Sequence, residues 1–376
     1  MGTAAAPAPS PARLVSLDVF RGMTIAGMII VNNPGDWGHV YGPLLHAEWN
    51  GWTPTDLIFP FFLFIVGVSM TFSFAARERR GEPRGRLWPH VLRRGLIIFA
   101  LGLFLNGFPF FNLAKIRVYG VLQRIGLCYL GAGLIALGFR RRGRALAVAA
   151  LLVGYWALMM FVPVPGYGAG RLDAEGNLGA YIDRWLLQGH LWKPLWDPEG
   201  LLSTFPAIAT TLLGVLVGEW LQSERAPRQK LVGLFALGTA GLAAGKLLEP
   251  WFPINKNLWT CSYVLFTAGF AAVLLGVCYG LIELRGYRRW AVPFVVLGMN
   301  SIAVFFLSTL VAKIGIMWKI TQATGQPVSL QRWLYEAVFA PLASPVNASL
   351  LFALSYLGVW LAAMWVLYRR RIFIKI

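Results

Sequence analysis

The chain has 376 residues, of which 57% are hydrophobic and 13% are charged, and its formal net charge is +18. A soluble domain of this length would carry roughly a quarter charged residues, so the composition excludes an ordinary soluble protein. The basic residues cluster in short segments between apolar runs, a pattern typical of membrane topology. We therefore predict membrane lipid as a partner and exclude nucleic acid.

The first segment, residues 1–12, is rich in alanine and proline and predicts a short disordered tail. Residues 13–376 carry recurring apolar runs of about 20 residues, which is the length of a membrane-spanning helix. The runs do not alternate as barrel strands do. We predict an all-α polytopic membrane protein with one domain over 13–376. Its ten predicted spans are 14–33, 54–76, 91–107, 118–139, 145–163, 201–221, 231–248, 259–283, 293–313 and 348–368.

The distribution of basic residues predicts the orientation of these spans. With the N-terminus in the cytoplasm, the cytoplasmic segments hold 22 of the 34 Lys and Arg residues, and the outer segments hold 10 although they include the two longest loops. An excess of basic residues in cytoplasmic loops is the positive-inside rule. We expect both termini to face the cytoplasm.

The first predicted span carries polar residues that need a reason, because ionisable groups are costly inside a membrane. Asp18 and Arg21 are spaced i,i+3 and predict an ion pair on one helix face, which is also what a simple helix-end salt bridge would give. Asn32 lies 11 residues after Arg21 and returns to nearly the same face, so the three residues predict a polar stripe.

The first outer loop joins two spans and holds two of the four histidines, His39 and His46. Trp49 and Asn50 follow His46, and aromatic and amide side chains together suit a sugar ring, although interfacial aromatics explain part of the pattern. Asp56 opens the second span, where the helix dipole favours an acid, so capping is an adequate alternative.

Polar residues also occur further along the chain. Gln123 and Arg124 in the fourth span are predicted to face the bundle interior, either lining a cavity or anchoring helices. The outer segment 255–257 reads as a solvated turn or as a sugar-contacting loop. Asn300 in the ninth span is predicted to join helices by hydrogen bonds. Three cysteines without metal-ligand spacing indicate no metal site.

Six blocks of the sequence occur in the order RLVSLDVFRG, HAEWNGWTPTDLIFPFFLFIVGVSM, GVLQRIG, DPEGLL, INKNLWTCSYV and LGMNSI. Together they resemble the heparan-α-glucosaminide N-acetyltransferase family from about residue 13 to the C-terminus. The resemblance implies a transmembrane acyltransferase domain that moves acetyl from cytosolic acetyl-CoA to the amino group of a glucosamine-type sugar on the outer side. It also implies a bare bacterial-type form without the luminal N-terminal domain, in a bacterial plasma (inner) membrane, and a possible homodimer.

The resemblance implies roles for individual residues. His46 matches the family's active histidine and is expected to act as a general base or as an acetyl carrier. Asn32 is the best match to the family's catalytic asparagine, next to Asn33. The residues expected to line the path of acetyl-CoA are Arg21, Gln123 and Arg124. The residues expected to bind the sugar are Trp49, Asn50, Asp56, Asn255, Lys256 and Asn257.

Two other functions fit the same sequence features. A membrane transporter for an amino sugar would also have about ten spans with charges inside them, and paired broken helices would favour it. An acyltransferase that modifies another envelope glycan or lipid would share the fold and the donor but not the acceptor. A carrier moves labelled sugar without acetyl-CoA, whereas a transferase releases free CoA.

Overall fold

The computed structural model describes residues 14–321 and 326–374, so the predicted tail at 1–12 lies outside the described residues. Helices dominate, as predicted, and the described strands are only β1 (Lys319–Thr321) and its antiparallel partner β2 (Pro327–Ser329). In chain order the described α-helices are α1 (Val15–Asn32), α2 (Pro54–Glu78), α3 (Trp88–Gly107), α4 (Val121–Gly138), α5 (Arg141–Phe161), α6 (Leu178–Leu187), α7 (Thr204–Gln222), α8 (Pro227–Leu248), α9 (Cys261–Tyr279), α10 (Val292–Met299), α11 (Ser301–Met317), α12 (Leu330–Leu334) and α13 (Pro345–Arg369).

Within the described residues, nine helices are long and apolar enough to cross a membrane, and a bent pair makes a tenth crossing if its two helices form one span. The nine are α1–α5, α7–α9 and α13; α10 and α11, together with the preceding turn, form the bent pair. The prediction of an all-α polytopic membrane protein is confirmed, and its ten spans correspond to these crossings.

The ninth predicted span, 293–313, is not one straight helix: the two halves meet at 71° around Asn300. The buried Asn300 side chain donates from Nδ2 to the carbonyl of Ile372 at 3.3 Å and accepts at Oδ1 from the Ile374 N–H at 2.9 Å. These two hydrogen bonds attach the junction of α10 and α11 to the segment that follows α13. Asn300 was predicted to join helices, but its hydrogen-bond partners lie in this non-helical segment, so the prediction is wrong about the partner.

Close packing against α7 fixes the position of α2, whose first turn carries a residue of the site described below. A Cβ atom on Gly67 would lie 1.9 Å from the Thr211 carbonyl oxygen, and one on Gly214 would lie 2.1 Å from the Phe64 carbonyl oxygen. Only glycine permits this approach, and small residues at helix contacts are a common way to pack membrane helices.

Because successive crossings alternate in direction, the connecting segments gather at two ends of the bundle. We call one the basic end; its segments are 79–87, 139–140, 223–226, 285–288 and 370–374. We call the other the histidine end; its segments are 33–53, 108–120, 162–203, 249–260 and the described parts of 318–344.

Candidate active site

The histidine end brings His46 and Asp56 into a hydrogen-bonded pair. His46 Nδ1 lies 2.6 Å from Asp56 Oδ1. The two partners differ in exposure, since the His46 side chain is 50% exposed and the Asp56 side chain 1%. A buried carboxylate therefore holds Nδ1 of a half-exposed imidazole ring.

Asp56 is fixed by the local fold at the start of α2. Its Oδ2 accepts hydrogen bonds from the N–H groups of Ala47 and Thr53, each at 3.0 Å, and from the Thr53 hydroxyl at 3.2 Å. The Thr53 contacts form a capping box, in which a side chain in the first turn satisfies a free N–H at the helix start. Asp56 thus caps its helix, as the sequence allowed, and also orients His46.

Lys256 approaches His46 from a second loop. Its Nζ lies 3.1 Å from His46 Nε2 and 3.3 Å from Nδ1. The lysine is half-buried. Burial lowers the pKa of Lys256 below its ordinary value, although the negative charges of Glu199 and Asp56 act in the opposite direction. A primary amine therefore lies beside the His46 ring, at similar distances from both of its nitrogens.

The turn that carries Lys256 is ordered by Asn255, which is fully buried. Asn255 Nδ2 donates to Asn50 Oδ1 at 3.1 Å, and its Oδ1 accepts from the Leu258 N–H at 2.9 Å. For Asn255 the solvated-turn interpretation is wrong, because both ends of its amide are used to join two loops. The side chain that the sequence suggested for a sugar is thus occupied in holding the site together.

Trp49 and Asn257 border a small cavity of about 20 Å³, which is enough for one water molecule. Trp49 donates from Nε1 to the Leu172 carbonyl at 2.9 Å and packs edge-on against Trp196 with ring centroids 5.2 Å apart. Asp183 also lines the cavity, and burial raises its pKa to about 7. Indole rings and polar groups thus lie beside the His46 cluster.

The sequence analysis did not single out the acidic residues Asp197 and Glu199 as site residues. Arg117 donates to both oxygens of Asp197, at 2.8 Å and 2.6 Å, and also to Glu199. Burial acts to lower the pKa of Arg117, but its hydrogen bond to Asp197 and the charge of Glu199 outweigh burial and raise it. The available signal was the DPEG segment at 197–200, since the whole chain has only 16 acidic residues.

Arg124 lies in the core, where it braces the loops of the histidine end. It donates from Nη2 to the Gly200 carbonyl at 2.9 Å and to the Ser203 hydroxyl. Its guanidinium also lies 5.1 Å from the Trp259 ring centroid. Gln123, equally buried, lies close to Gly102 and Gly120 beside α3. The anchoring alternative describes this placement, and contact of either residue with acetyl-CoA stays a prediction.

Among Arg21, Gln123 and Arg124, the three residues predicted to line a path for acetyl-CoA, only Arg21 borders the large cavity at the basic end. Arg21 forms the predicted ion pair with Asp18 at 3.1 Å and donates to the Ser69 hydroxyl at 2.6 Å. The predicted ion pair is confirmed. The cavity has a volume of about 500 Å³ and is also bordered by Arg77, Arg80, Arg94, Tyr129 and Asn300.

Asn32 is the last residue of α1, and its side chain is exposed. Within the described parts of the chain, no hydrogen bond joins Asn32 to the His46 cluster. The neighbouring Asn33 is buried and donates to the Ile29 carbonyl at 2.8 Å. His39, for which the sequence indicated no role, pairs with Asp36 at 2.7 Å, and both side chains are exposed.

This geometry can support proton transfer. If His46 donates from Nδ1 to Asp56, its Nε2 is left as an acceptor, because a neutral imidazole carries one proton. A carboxylate that orients a histidine in this way is common to many general-base sites. The amine of Lys256 shows that a primary amine fits beside the imidazole ring.

Comparisons with known proteins identify the family of this chain. The family model described as heparan-alpha-glucosaminide N-acetyltransferase, catalytic, matches residues 13–245. The heparan-alpha-glucosaminide N-acetyltransferase of Homo sapiens is 31% identical, in an alignment that covers 78% of this chain and 52% of the relative. The Mus musculus protein of the same name is 30% identical, with 78% and 53% covered. The chain thus spans about half the length of these relatives, and it belongs to the heparan-alpha-glucosaminide N-acetyltransferase catalytic family.

Proposed function

We propose that this protein is a transmembrane N-acetyltransferase. It takes acetyl from acetyl-CoA at the basic end and transfers it to the amino group of a glucosamine-type sugar at the histidine end. The observation that carries this proposal is the His46–Asp56 pair, which presents an oriented imidazole acceptor at the end opposite the arginine-lined cavity. The named activity of the relatives supports the same reaction class.

The cavity at the basic end suits the anionic part of the donor. Arg94 borders this cavity and a neighbouring one of about 360 Å³, and its Nε is buried without a hydrogen-bond partner within the described residues. Arginine forms strong charge-assisted hydrogen bonds to phosphates. Arg93 and Arg77 border the neighbouring cavity as well. By the positive-inside rule this end faces the cytoplasm, where acetyl-CoA is available.

Helix α2 runs from the large cavity at the basic end, where the donor is proposed to bind, toward the proposed base His46. The cavity is bordered along α2 from Arg80, just beyond its end, to Phe62. Phe62 is six residues from Asp56, a separation of about 9 Å along a helix axis. A donor whose phosphates bind near Arg94 would need an extended arm with the acetyl group at its tip to cover this distance.

His46 is the proposed general base. An amine attacks a thioester only with a free electron pair, and histidine near neutrality is suited to accept the proton that is released. Asp56 holds the ring and stabilises the imidazolium that forms. Asn32 remains the predicted hydrogen-bond donor to the oxyanion that develops on the carbonyl.

A second mechanism uses the same residue as a nucleophile. His46 Nε2 would attack the thioester carbonyl, and an acyl-imidazole would carry the acetyl group to the sugar amine. Rapid quenching in the absence of an acceptor separates the two mechanisms. An acetyl group on His46 supports the carrier, and its absence supports direct transfer.

The test uses the full chain in liposomes with acetyl-CoA and glucosamine or an aminosugar glycoside, and it follows free thiol. We expect amine-dependent thiol release that falls by roughly 10²–10⁴ in His46→Ala, the usual contribution of a general base. His39→Ala is the matched control, since His39 is as exposed as His46 and also pairs with an aspartate at this end, but its partner Asp36 is exposed whereas Asp56 is buried. This variant should retain wild-type activity. If no amine gives thiol release, or if His46→Ala is fully active, the proposal fails.

The transporter alternative makes the opposite forecast for labelled sugar. One bent crossing, α10 with α11, interrupts the bundle beside the donor cavity. A carrier would move labelled sugar into the liposomes without acetyl-CoA, whereas the proposed enzyme would not. The natural acceptor, a homodimeric state and a bacterial plasma membrane location stay predictions from the family resemblance.

A further inference from the structure

The side chain of Lys256 places a primary amine in contact with the His46 ring. A general base must lie within hydrogen-bond distance of the proton that it removes. Lys256 Nζ lies 3.1 Å from His46 Nε2 and 3.3 Å from Nδ1, so the amine contacts the imidazole ring at similar distances from both nitrogens, and Asp56 holds the ring at Nδ1. An amine, a base and an orienting carboxylate are thus already assembled without any external substrate.

We propose that Lys256 is an internal acceptor, which the enzyme acetylates on Nζ from acetyl-CoA when no external amine is bound. This inference rests on the proposed function. It assigns a modification site, an ε-N-acetyllysine in the 253–260 turn, and it names the chemistry of the modified group as a primary amine.

The turn holds Lys256 in place instead of leaving it to sample solvent. Asn255 is buried and joined to Asn50 at 3.1 Å, and its backbone N–H donates to the Thr260 hydroxyl at 3.1 Å. The Gly51 N–H donates to the Ile254 carbonyl at 2.7 Å. A pre-positioned nucleophile reacts far faster than the same group free in solution, because orientation is already established.

The environment of Lys256 also favours the neutral amine that a nucleophile requires. Burial disfavours the ammonium form and lowers the pKa of Lys256. Glu199 and Asp56 counteract this effect without cancelling it. Lys193, an exposed lysine at the same end, lacks contact with His46 and is the natural comparison within the same chain.

The reaction balances with the groups present and acetyl-CoA alone. The Nζ electron pair attacks the thioester carbonyl, the carbon–sulfur bond breaks and the thiolate of CoA leaves, while an amide carbon–nitrogen bond forms. The proton lost from Nζ goes to His46 Nε2, and from there to the thiolate or to solvent. No oxidant or reductant is required.

Acetylation of Lys256 would stop further turnover. It removes a positive charge that faces Asp56 and Glu199, and it places an uncharged acyl group beside His46 Nε2. An acceptor sugar must displace Lys256 to reach the same nitrogen, so its presence would protect the lysine. The enzyme would therefore inactivate itself when the donor is abundant and the acceptor is absent.

The experiment incubates the purified full chain with deuterated acetyl-CoA and no amine, and it quantifies the label at each lysine by mass spectrometry after chymotryptic digestion. We expect occupancy at Lys256 at least tenfold above that at Lys193, a tenfold or greater fall in His46→Ala, and slower labelling with glucosamine. Preincubation with acetyl-CoA should reduce later amine-dependent thiol release in proportion to the label. Thermal midpoints establish that His46→Ala is folded, and His46→Gln repeats the comparison with a larger side chain.

The outcomes separate this inference from the proposed function. Label at Lys256 equal to that at Lys193, or unchanged in folded His46 variants, overturns the internal acceptor. If glucosamine is acetylated while Lys256 stays unlabelled, only this inference fails. If neither amine is acetylated, both fail. In Lys256→Arg, which keeps the charge but cannot form the amide, preincubation should cause no progressive loss of thiol release.

Discussion

The two ends of the bundle use their charged residues in opposite ways. At the basic end Arg77, Arg80 and Arg94 border a cavity of about 500 Å³. At the histidine end the charged side chains bind one another, and the cavity beside Trp49 is only about 20 Å³. If the proposed function holds, the cavity for the donor is already open, whereas an acceptor has to displace side chains of the protein itself.

A second comparison lies within the histidine end, where two histidines each pair with an aspartate at almost the same distance. Asp36 precedes His39 by three residues in one loop, and both are exposed. Asp56 is buried and lies ten residues after His46, on a helix packed into the core. Only the second carboxylate is rigid, so only the second pair is suited to orient a base.

The largest expected effect breaks this second pair. Asp56→Asn removes the charge that fixes the His46 tautomer and stabilises its imidazolium, so we expect kcat to fall by roughly 10²–10⁴. The amide oxygen can still accept from the Thr53 N–H, so the helix cap is retained in part. Steady-state thiol release with acetyl-CoA and glucosamine measures the change.

The matched control for Asp56→Asn is Asp36→Asn. It removes the same charge from the exposed pair and should leave kcat within twofold of wild type. Equal losses in the two variants would show that burial of Asp56 is irrelevant to catalysis, and the distinction between the pairs would be wrong.

The next largest effect concerns the basic end. Arg94→Gln removes a charged donor from both neighbouring cavities, and a hydrogen bond to a charged group contributes about 1.5–3 kcal/mol. We expect KM for acetyl-CoA to rise by about tenfold or more with kcat little changed, because the contact is made equally before and during the reaction.

Arg79→Gln controls for the loss of a basic residue at this end. Arg79 is exposed and donates to the Ala75 carbonyl of its own helix. Its KM should match that of wild type. A fall in kcat instead of a rise in KM for Arg94→Gln would place Arg94 in the chemical step and remove the functional difference between the two ends.

Sequence reasoning succeeded where the physical signal is local. Apolar runs and basic loops predicted ten crossings, since each run must satisfy its own backbone in lipid. The HAEWNG and INKNLW segments were each noticed for their polar residues, and the fold joins them through Asn50 and Asn255. Their contact itself was not predictable from spacing, because the two asparagines lie 205 residues apart.

Sequence reasoning left alternatives open where a residue's role depends on distant partners. For Arg124 the sequence allowed either cavity lining or anchoring, and spacing could not predict its partners Gly200, Ser203 and Trp259, which come from two other loops. The bend at Asn300 was also not predictable, because the hydropathy of residues 293–313 is that of one continuous apolar span.

The smallest expected effect concerns the histidine end and is measured as a change in thermal stability. Burial raises the pKa of Asp183 to about 7 from an ordinary value of 3.8. The ionised form is therefore unfavourable in the folded state, and stability is lost as pH rises from about 4 to 7. Above that pH range the ionised carboxylate lowers the free energy of unfolding by at most about 4 kcal/mol.

Asp183→Asn cannot ionise and can still accept the Leu201 N–H bond, which the wild type holds at 2.9 Å. We expect the thermal midpoint of the variant in detergent to exceed that of wild type by a few degrees at pH 8, with a smaller difference at pH 5. Asp173→Asn is the control, because this exposed aspartate pairs with Arg171 and its pKa is lowered, so its loss should slightly destabilise at pH 8. An Asp183→Asn midpoint that does not exceed wild type at pH 8 would mean that the buried carboxylate is fully compensated. In that case the ionised Asp183 would not destabilise the histidine end, and acceptor binding would have no such destabilisation to relieve.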